Sequence, residues 1–299
     1  MSLQERIQSV IDASGAQFAV ALKHLESGQE VMIDADSYYP MASVVKIPIL
    51  VECFYRIQAG EFSLHDRWPL KTEDKNLPSG VLVFFEDGLM PTVLDLMTLM
   101  NIISDNTATD ILLKRLGKAA VEARMRELGL EHIQIKLTIR ELFEDLLGNA
   151  DPTQDLYELS KKEESRGPKR GKLVYLNTPE NNVSTARDMT RLLELIFNDK
   201  VADSKGVLDV LLQQQLNDRL PRFLPAGTRI AHKTGTLSGI RNNAGIIYVN
   251  DHSHVAVTVY CRWDDAAVWD DARAARQRMH EIDTAFGEIG LLAYEAFQS

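Results

Sequence analysis

A chain of 299 residues, 45% apolar and 25% charged, is long enough for one or two domains and balanced like an ordinary globular protein. Its net charge of −10 argues against a nucleic-acid surface, and no basic cluster is long enough to offset it. No apolar run reaches membrane-spanning length and no Cys/His cluster has zinc spacing, which excludes a spanning helix and a structural zinc site.

In chain order, Met1-Ser2-Leu3-Gln4-Glu5-Arg6 runs directly into a helical pattern over 4–13, without the pattern of a signal peptide. The compartment is left open between cytoplasmic retention and export with a leader removed. Residues 18–25 and 30–34 read as a hairpin around Ser27-Gly28. From Ser43 to about Leu216 the pattern is helical. Within that stretch, 151–177 is rich in charge and poor in aliphatic residues and contains Gly167-Pro168. It reads as an insertion with a short helix around 155–162. Residues 182–189 lead into a helix capped by Ser184 or Thr185. Leu224-Pro225-Ala226-Gly227 is a turn, followed by strands over 228–234, 243–250 and 254–263 and a closing helix over 270–296. His252-Ser253-His254 follows Asn250-Asp251 and reads as part of a hairpin turn, not a metal site.

Three short motifs stand out. Ser43-Val44-Val45-Lys46 places a hydroxyl and an amine three residues apart, on one face of a helix. A serine hydroxyl needs a base within reach to act as a nucleophile. The apolar run Ile47-Pro48-Ile49-Leu50-Val51 would bury that helix and make the neutral amine of Lys46 more accessible. Pro48 fits a first turn, so Ser43 should sit near the helix N-terminus, where free N–H groups favour an oxyanion. Ser104-Asp105-Asn106 joins an apolar stretch over 94–103 to a helical pattern over 107–116. Lys233-Thr234-Gly235-Thr236 ends a strand, where a glycine permits close approach of a ligand. Each motif alone is weak: S-x-x-K is expected by chance about once in a chain of this length. The ordered set S-x-x-K, S-D-N, K-T-G is specific.

On these motifs the chain resembles the class A β-lactamases and penicillin-binding-protein-like serine hydrolases, over roughly 7–296. The resemblance implies an α+β fold: five mostly antiparallel strands flanked by terminal helices, plus an all-helical part. A single domain over 1–299 is expected, with 1–42 and 217–299 forming the α/β layer and 43–216 the helical layer. The site would lie between the layers. The resemblance also implies roles. Ser43 is the nucleophile and Lys46 a proton acceptor. Ser104 relays a proton to the leaving nitrogen, and Asp105 holds the loop. Asn106 binds the amide carbonyl of the substrate side chain. Lys233 and Thr234 contact its carboxylate or assist proton transfer. The strand through Gly235 pairs with substrate, and the N–H groups of Ser43 and Thr236 form the oxyanion hole.

Two positions depart from the family pattern. Its E-x-x-L-N motif, whose glutamate activates the hydrolytic water, has no clean copy. Glu144-x-x-Leu147-x-Asn149 is one residue too long, and Glu141 lies nearer the expected distance from Ser104. The arginine usual on the strand after K-T-G is replaced by Ala244; Arg219 and Arg241 are the candidate substitutes, since guanidinium suits carboxylate binding. Cys53 and Cys261 lie in apolar settings and read as two buried thiols, with one disulfide left open because the family is often exported. No cofactor is expected. The expected partner is a small substrate, a β-lactam or a peptidoglycan-like peptide, met by a monomer. The activity is read first as β-lactam hydrolysis through an acyl-serine. The alternatives are a D-alanyl-D-alanine peptidase or another amide or ester hydrolase, and, against the complete nucleophile set, a non-catalytic binder.

Overall fold

The computed structural model describes residues 1–76, 79–147, 171–268 and 270–298. Helix α1 (Leu3–Ser14) opens with a capping box between Ser2 and Glu5 and closes on Gly15 in the left-handed region. Strands β1 (Gln17–His24) and β2 (Glu30–Ile33) form the expected hairpin. After Gly227 come β5 (Arg229–Leu237), β6 (Ile240–Asn250) and β7 (Ser253–Arg262), and the chain closes with α9 (Ala272–Glu295). These five strands make one antiparallel sheet in the order β2-β1-β7-β6-β5.

The sheet is covered on both faces, so its strands carry near-continuous apolar runs and not simple alternation. In β1, Phe18, Val20 and Leu22 join the core beneath α1 and α9. Ala19 and Ala21, between them, join the core of the helical layer. Small residues on that face let the helices approach closely. The register pairs Ala21 with Thr258, and the Thr258 hydroxyl accepts a hydrogen bond from Thr190 at 2.8 Å, tying the sheet to a helix of the other layer.

The helical layer is built on α2 (Lys46–Gln58), whose first nine residues are all buried. Around it lie α3 (Val93–Ile102), α4 (Asn106–Leu116), α5 (Lys118–Glu127), α6 (Ile139–Leu147), α7 (Ala186–Phe197) and α8 (Ser204–Leu211). Thr185 caps α7 by accepting from Asp188 N–H. The layer also holds a two-stranded ladder of β3 (Tyr39–Pro40) and β4 (Val183–Ser184), too short to leave a period-two pattern in sequence. The expected helix over 155–162 lies outside the described residues, as does most of the 151–177 insertion. Cys53 and Cys261 are buried free thiols. No helix among the described residues is long and apolar enough to cross a membrane.

Candidate active site

The three motifs converge where β5, the edge strand, meets the start of α2. Ser43 lies in a single 3-10 turn (Ala42–Val45) that runs directly into α2 at Lys46. Pro48 is therefore the third residue of α2, where its missing N–H costs nothing. Ala42, just before Ser43, has φ 46°, a strained value for a residue with a side chain. Two contacts hold the turn against the sheet. Asn242, fully buried on β6, donates to Pro40 O at 2.8 Å and Met41 O at 3.0 Å. Gly235 faces the turn so closely that a Cβ there would lie 2.6 Å from Met41 O and 3.2 Å from Ser43 N. The glycine of K-T-G is thus dictated by the packing of β5 on the turn that carries Ser43.

Lys46 is buried, and its amine donates to Ser104 O at 2.7 Å, Ser104 Oγ at 3.0 Å and Asn106 Oδ1 at 2.9 Å. Burial drives its pKa down to about 7, against the pull of Asp105 and Asp110, which favour the charged form. Near neutral pH the amine therefore exists in both protonation states.

Ser104 is held at φ 59°, and Asp105 explains how the loop tolerates it. One Asp105 oxygen accepts from Ala108 N and caps α4, while the other accepts from Val81 N at 2.7 Å and Leu82 N at 2.9 Å. The Val81 segment passes so close that a Cβ on Gly80 would lie 2.3 Å from the Asp105 carboxylate. Asn106 N–H reaches Ser79 O across the same contact.

Lys233 is fully buried, and its amine donates to Thr234 O at 2.8 Å. Burial, then the charges of Lys46 and Arg219, push its pKa well below the ordinary lysine range. The neighbouring His232 is driven to about 3, first by burial and then by Lys233 and Arg219, so it is neutral. A cavity opens above these groups, and its polar lining includes Ser43, Ser104, Asn106, Thr234 and Thr236.

The two arginines diverge. Arg219 is buried beside the sheet and donates to Gly235 O and Asn242 O, both at 2.7 Å, and to Thr236 Oγ1 at 2.5 Å. Its pKa falls to about 10, through burial first and then repulsion by Arg241. It touches the cavity through Thr236. Arg241 stands opposite Thr236 in the ladder, but its guanidinium lies on α9, 3.0 Å from Met279 Sδ and 3.4 Å from Asp283. It is not among the described residues that line the cavity.

Neither glutamate is brought into the cavity lining. Glu141 sits in the first turn of α6, in a reciprocal cap with Thr138: its carboxylate accepts from Thr138 N at 2.7 Å, and its N–H donates to Thr138 Oγ1 at 3.1 Å. The same carboxylate pairs with Lys118 at 2.5 Å. Burial alone raises its pKa, but Lys118 and the Thr138 N–H outweigh it and hold the group below the ordinary range. Glu144 is exposed on the same helix. The face of α6 that lines the cavity presents Ile139, Leu142, Phe143 and Leu146 instead.

Sequence reasoning missed the supporting residues. Asn242 and Asn243 are two consecutive buried amides inside an apolar strand, and buried amides need partners. Asn243 donates to Lys233 O at 3.1 Å, so the pair braces both the Ser43 turn and the K-T-G strand. Asp110 was also missed; its carboxylate accepts from Ile139 N at 2.8 Å and Arg140 N at 2.9 Å and anchors the start of α6. Asn182 lines the cavity, and its side chain accepts from Lys136 N and Leu137 N.

A sheet-and-helix fold with a buried lysine behind a serine at the layer boundary defines an α+β protein of the β-lactamase/transpeptidase type. The profile described as "Beta-lactamase enzyme family" matches residues 2–297, and the chain belongs to that family. A β-lactamase from Sphaerobacter thermophilus DSM 20745 superposes with a TM-score of 0.76 at 25% identity, covering 98% of this chain and 96% of that one. The β-lactamase regulatory protein BlaB of Streptomyces cacaoi is 26% identical over 278 residues, which is 86% of this chain and 88% of BlaB. The β-lactamase VEB-1 of Pseudomonas aeruginosa is also 26% identical over 278 residues, 87% of this chain and 82% of VEB-1.

Proposed function

We propose that this chain is a serine hydrolase that opens β-lactams through an ester on Ser43. The observation that carries this reading is the buried Lys46 amine, held near pKa 7 and hydrogen-bonded to Ser104 and Asn106 behind a cavity that Ser43 lines. In the neutral form Lys46 takes the Ser43 proton as Oγ attacks the lactam carbonyl. The N–H groups of Ser43 and Thr236 receive the oxyanion. As the C–N bond breaks, the Ser104 hydroxyl protonates the leaving nitrogen and is reprotonated by Lys46, 3.0 Å away. Water then hydrolyses the ester. Thr234, and Thr236 backed by the Arg219 guanidinium, offer hydroxyls to a substrate carboxylate.

A second reading shares the acylation and differs in the fate of the ester: a long-lived acyl-enzyme, as suits a peptidase-like acyltransferase or a sensor of β-lactams. It is favoured by the absence of any carboxylate from the cavity lining among the described residues, and by the engagement of Glu141 with Lys118. The similarity to a protein named as a β-lactamase regulator agrees with it.

Intact mass after mixing with benzylpenicillin, followed over time, tests both readings. A transient adduct on Ser43, lost in Ser43→Ala, supports the hydrolase. A persistent adduct supports the second reading. No adduct, or one that survives Ser43→Ala, overturns the acyl-serine mechanism.

A further inference from the structure

We infer that the site selects acyl donors whose acyl group ends in an apolar ring or branched chain and discriminates against charged ones. This rests on the acyl-serine reading above and adds the substrate class. Helix α6 presents Ile139, Leu142, Phe143 and Leu146, spaced i, i+3, i+4 and i+7, as one apolar face toward the cavity, and buried Val174 extends it. The position of that face relative to the reacting groups is fixed. Asp110 lies one turn beyond Asn106 on α4, hence on the same side of that helix, and its carboxylate binds the first two N–H groups of α6. The apolar wall therefore begins beside Asn106, the amide that lines the cavity next to Ser104.

Leu142 and Val174 are covered by the core, which accounts for them as packing residues. Phe143 and Leu146 are only half-buried, and the surface they retain lines the cavity. No residue of the described lining is charged. A charged acyl group entering this wall loses water and finds no counter-ion among the described lining residues, whereas an aryl or branched alkyl group buries apolar surface.

The test compares second-order acylation rates, by intact mass, for benzylpenicillin and for a penicillin of the same nucleus with a charged aminoadipoyl group. The phenylacetyl compound is expected to react about tenfold faster or more, the scale of hydrophobic-pocket discrimination. In Phe143→Ala and in Leu146→Gln, both at half-buried positions, that ratio should fall toward one, with melting temperatures as the control for folding. The wild-type ratio is informative without any variant. A ratio near one in the wild type, or a ratio unchanged in both folded variants, overturns this inference and leaves the acyl-serine reading standing. Failure of both compounds to label Ser43 overturns that reading and this one with it.

Discussion

Lys46 grips Ser104 twice, at the backbone carbonyl (2.7 Å) and at the hydroxyl (3.0 Å), so one buried amine both fixes the S-D-N loop and contacts its hydroxyl. Motifs 58 residues apart in sequence are thereby joined by hydrogen bonds. A buried ammonium with three acceptors is satisfied when charged, and the same desolvation makes it easy to neutralise.

That balance predicts a pH profile. The folded-state pKa of Lys46 is lowered to about 7 from the ordinary 10.5, so the amine is mostly charged below pH 7 and mostly neutral above it. Only a neutral amine can accept a proton, as the proposed mechanism requires of Lys46. Acylation rates measured from pH 5 to 9 should rise about tenfold per unit below 7 and level off above it. Lys46→Ala should remove this limb and cost on the order of 10²-fold or more. A profile flat through pH 7 in the wild type would exclude Lys46 as the base.

The carboxylate near the site invites a sharper test. Glutamine still fits the cap at the start of α6, so Glu141→Gln loses mainly the half-exposed pair with Lys118. The expected cost is about 0.5–1 kcal/mol, measured by chemical denaturation. The lifetime of the acyl-enzyme should not change. Accumulation of the ester in Glu141→Gln would instead return Glu141 to the water-activating role implied by its distance from Ser104.

How far the sequence reached follows from which contacts are local. Ser43 and Lys46 were legible because one turn of chain sets their relation, and the hydrophobic run after them announced burial. The last three strands and the first hairpin were legible from turn residues and β-rich runs. Asn242, Asp110 and Asn182 act through partners 29 to 202 residues away, and no local pattern marks such contacts. Arg241 shows how register misleads: it stands opposite Thr236, yet its guanidinium lies on α9 beside Asp283. Glu141 was placed by counting from Ser104, but α6 begins two residues earlier, and the carboxylate caps its start by accepting from Thr138 N.

Asp105 should prove structural. Its two oxygens satisfy three N–H groups, of Val81, Leu82 and Ala108. Asp105→Asn exchanges one accepting oxygen for an amide that faces donors. Hydrogen bonds to a charged group contribute roughly 1.5–3 kcal/mol, so a loss of about 2 kcal/mol is expected. Because Ser104 is held at φ 59° by the same loop, acylation should fall along with stability. If Asp105→Asn keeps both wild-type stability and wild-type acylation, the loop is held by something else.

Gly235 supplies a test of the contact between layers. Its φ is ordinary, so alanine is not barred by backbone conformation; the obstacle is space. An added Cβ meets Met41 O at 2.6 Å and Ser43 N at 3.2 Å, both backbone atoms that cannot swing aside. Gly235→Ala must therefore push β5 away from the turn bearing Ser43. The N–H groups of Ser43 and Thr236, which receive the oxyanion in the proposed mechanism, would then no longer converge, and loss of one such donor costs about 10²–10³-fold. Stability should drop by about 1–3 kcal/mol, the range for local overpacking. Acylation by benzylpenicillin, read by intact mass, should slow far more than that destabilisation explains, with the protein still folded at the assay temperature. Wild-type acylation in folded Gly235→Ala would show that the approach of β5 to the Ser43 turn is not what sets the reaction rate.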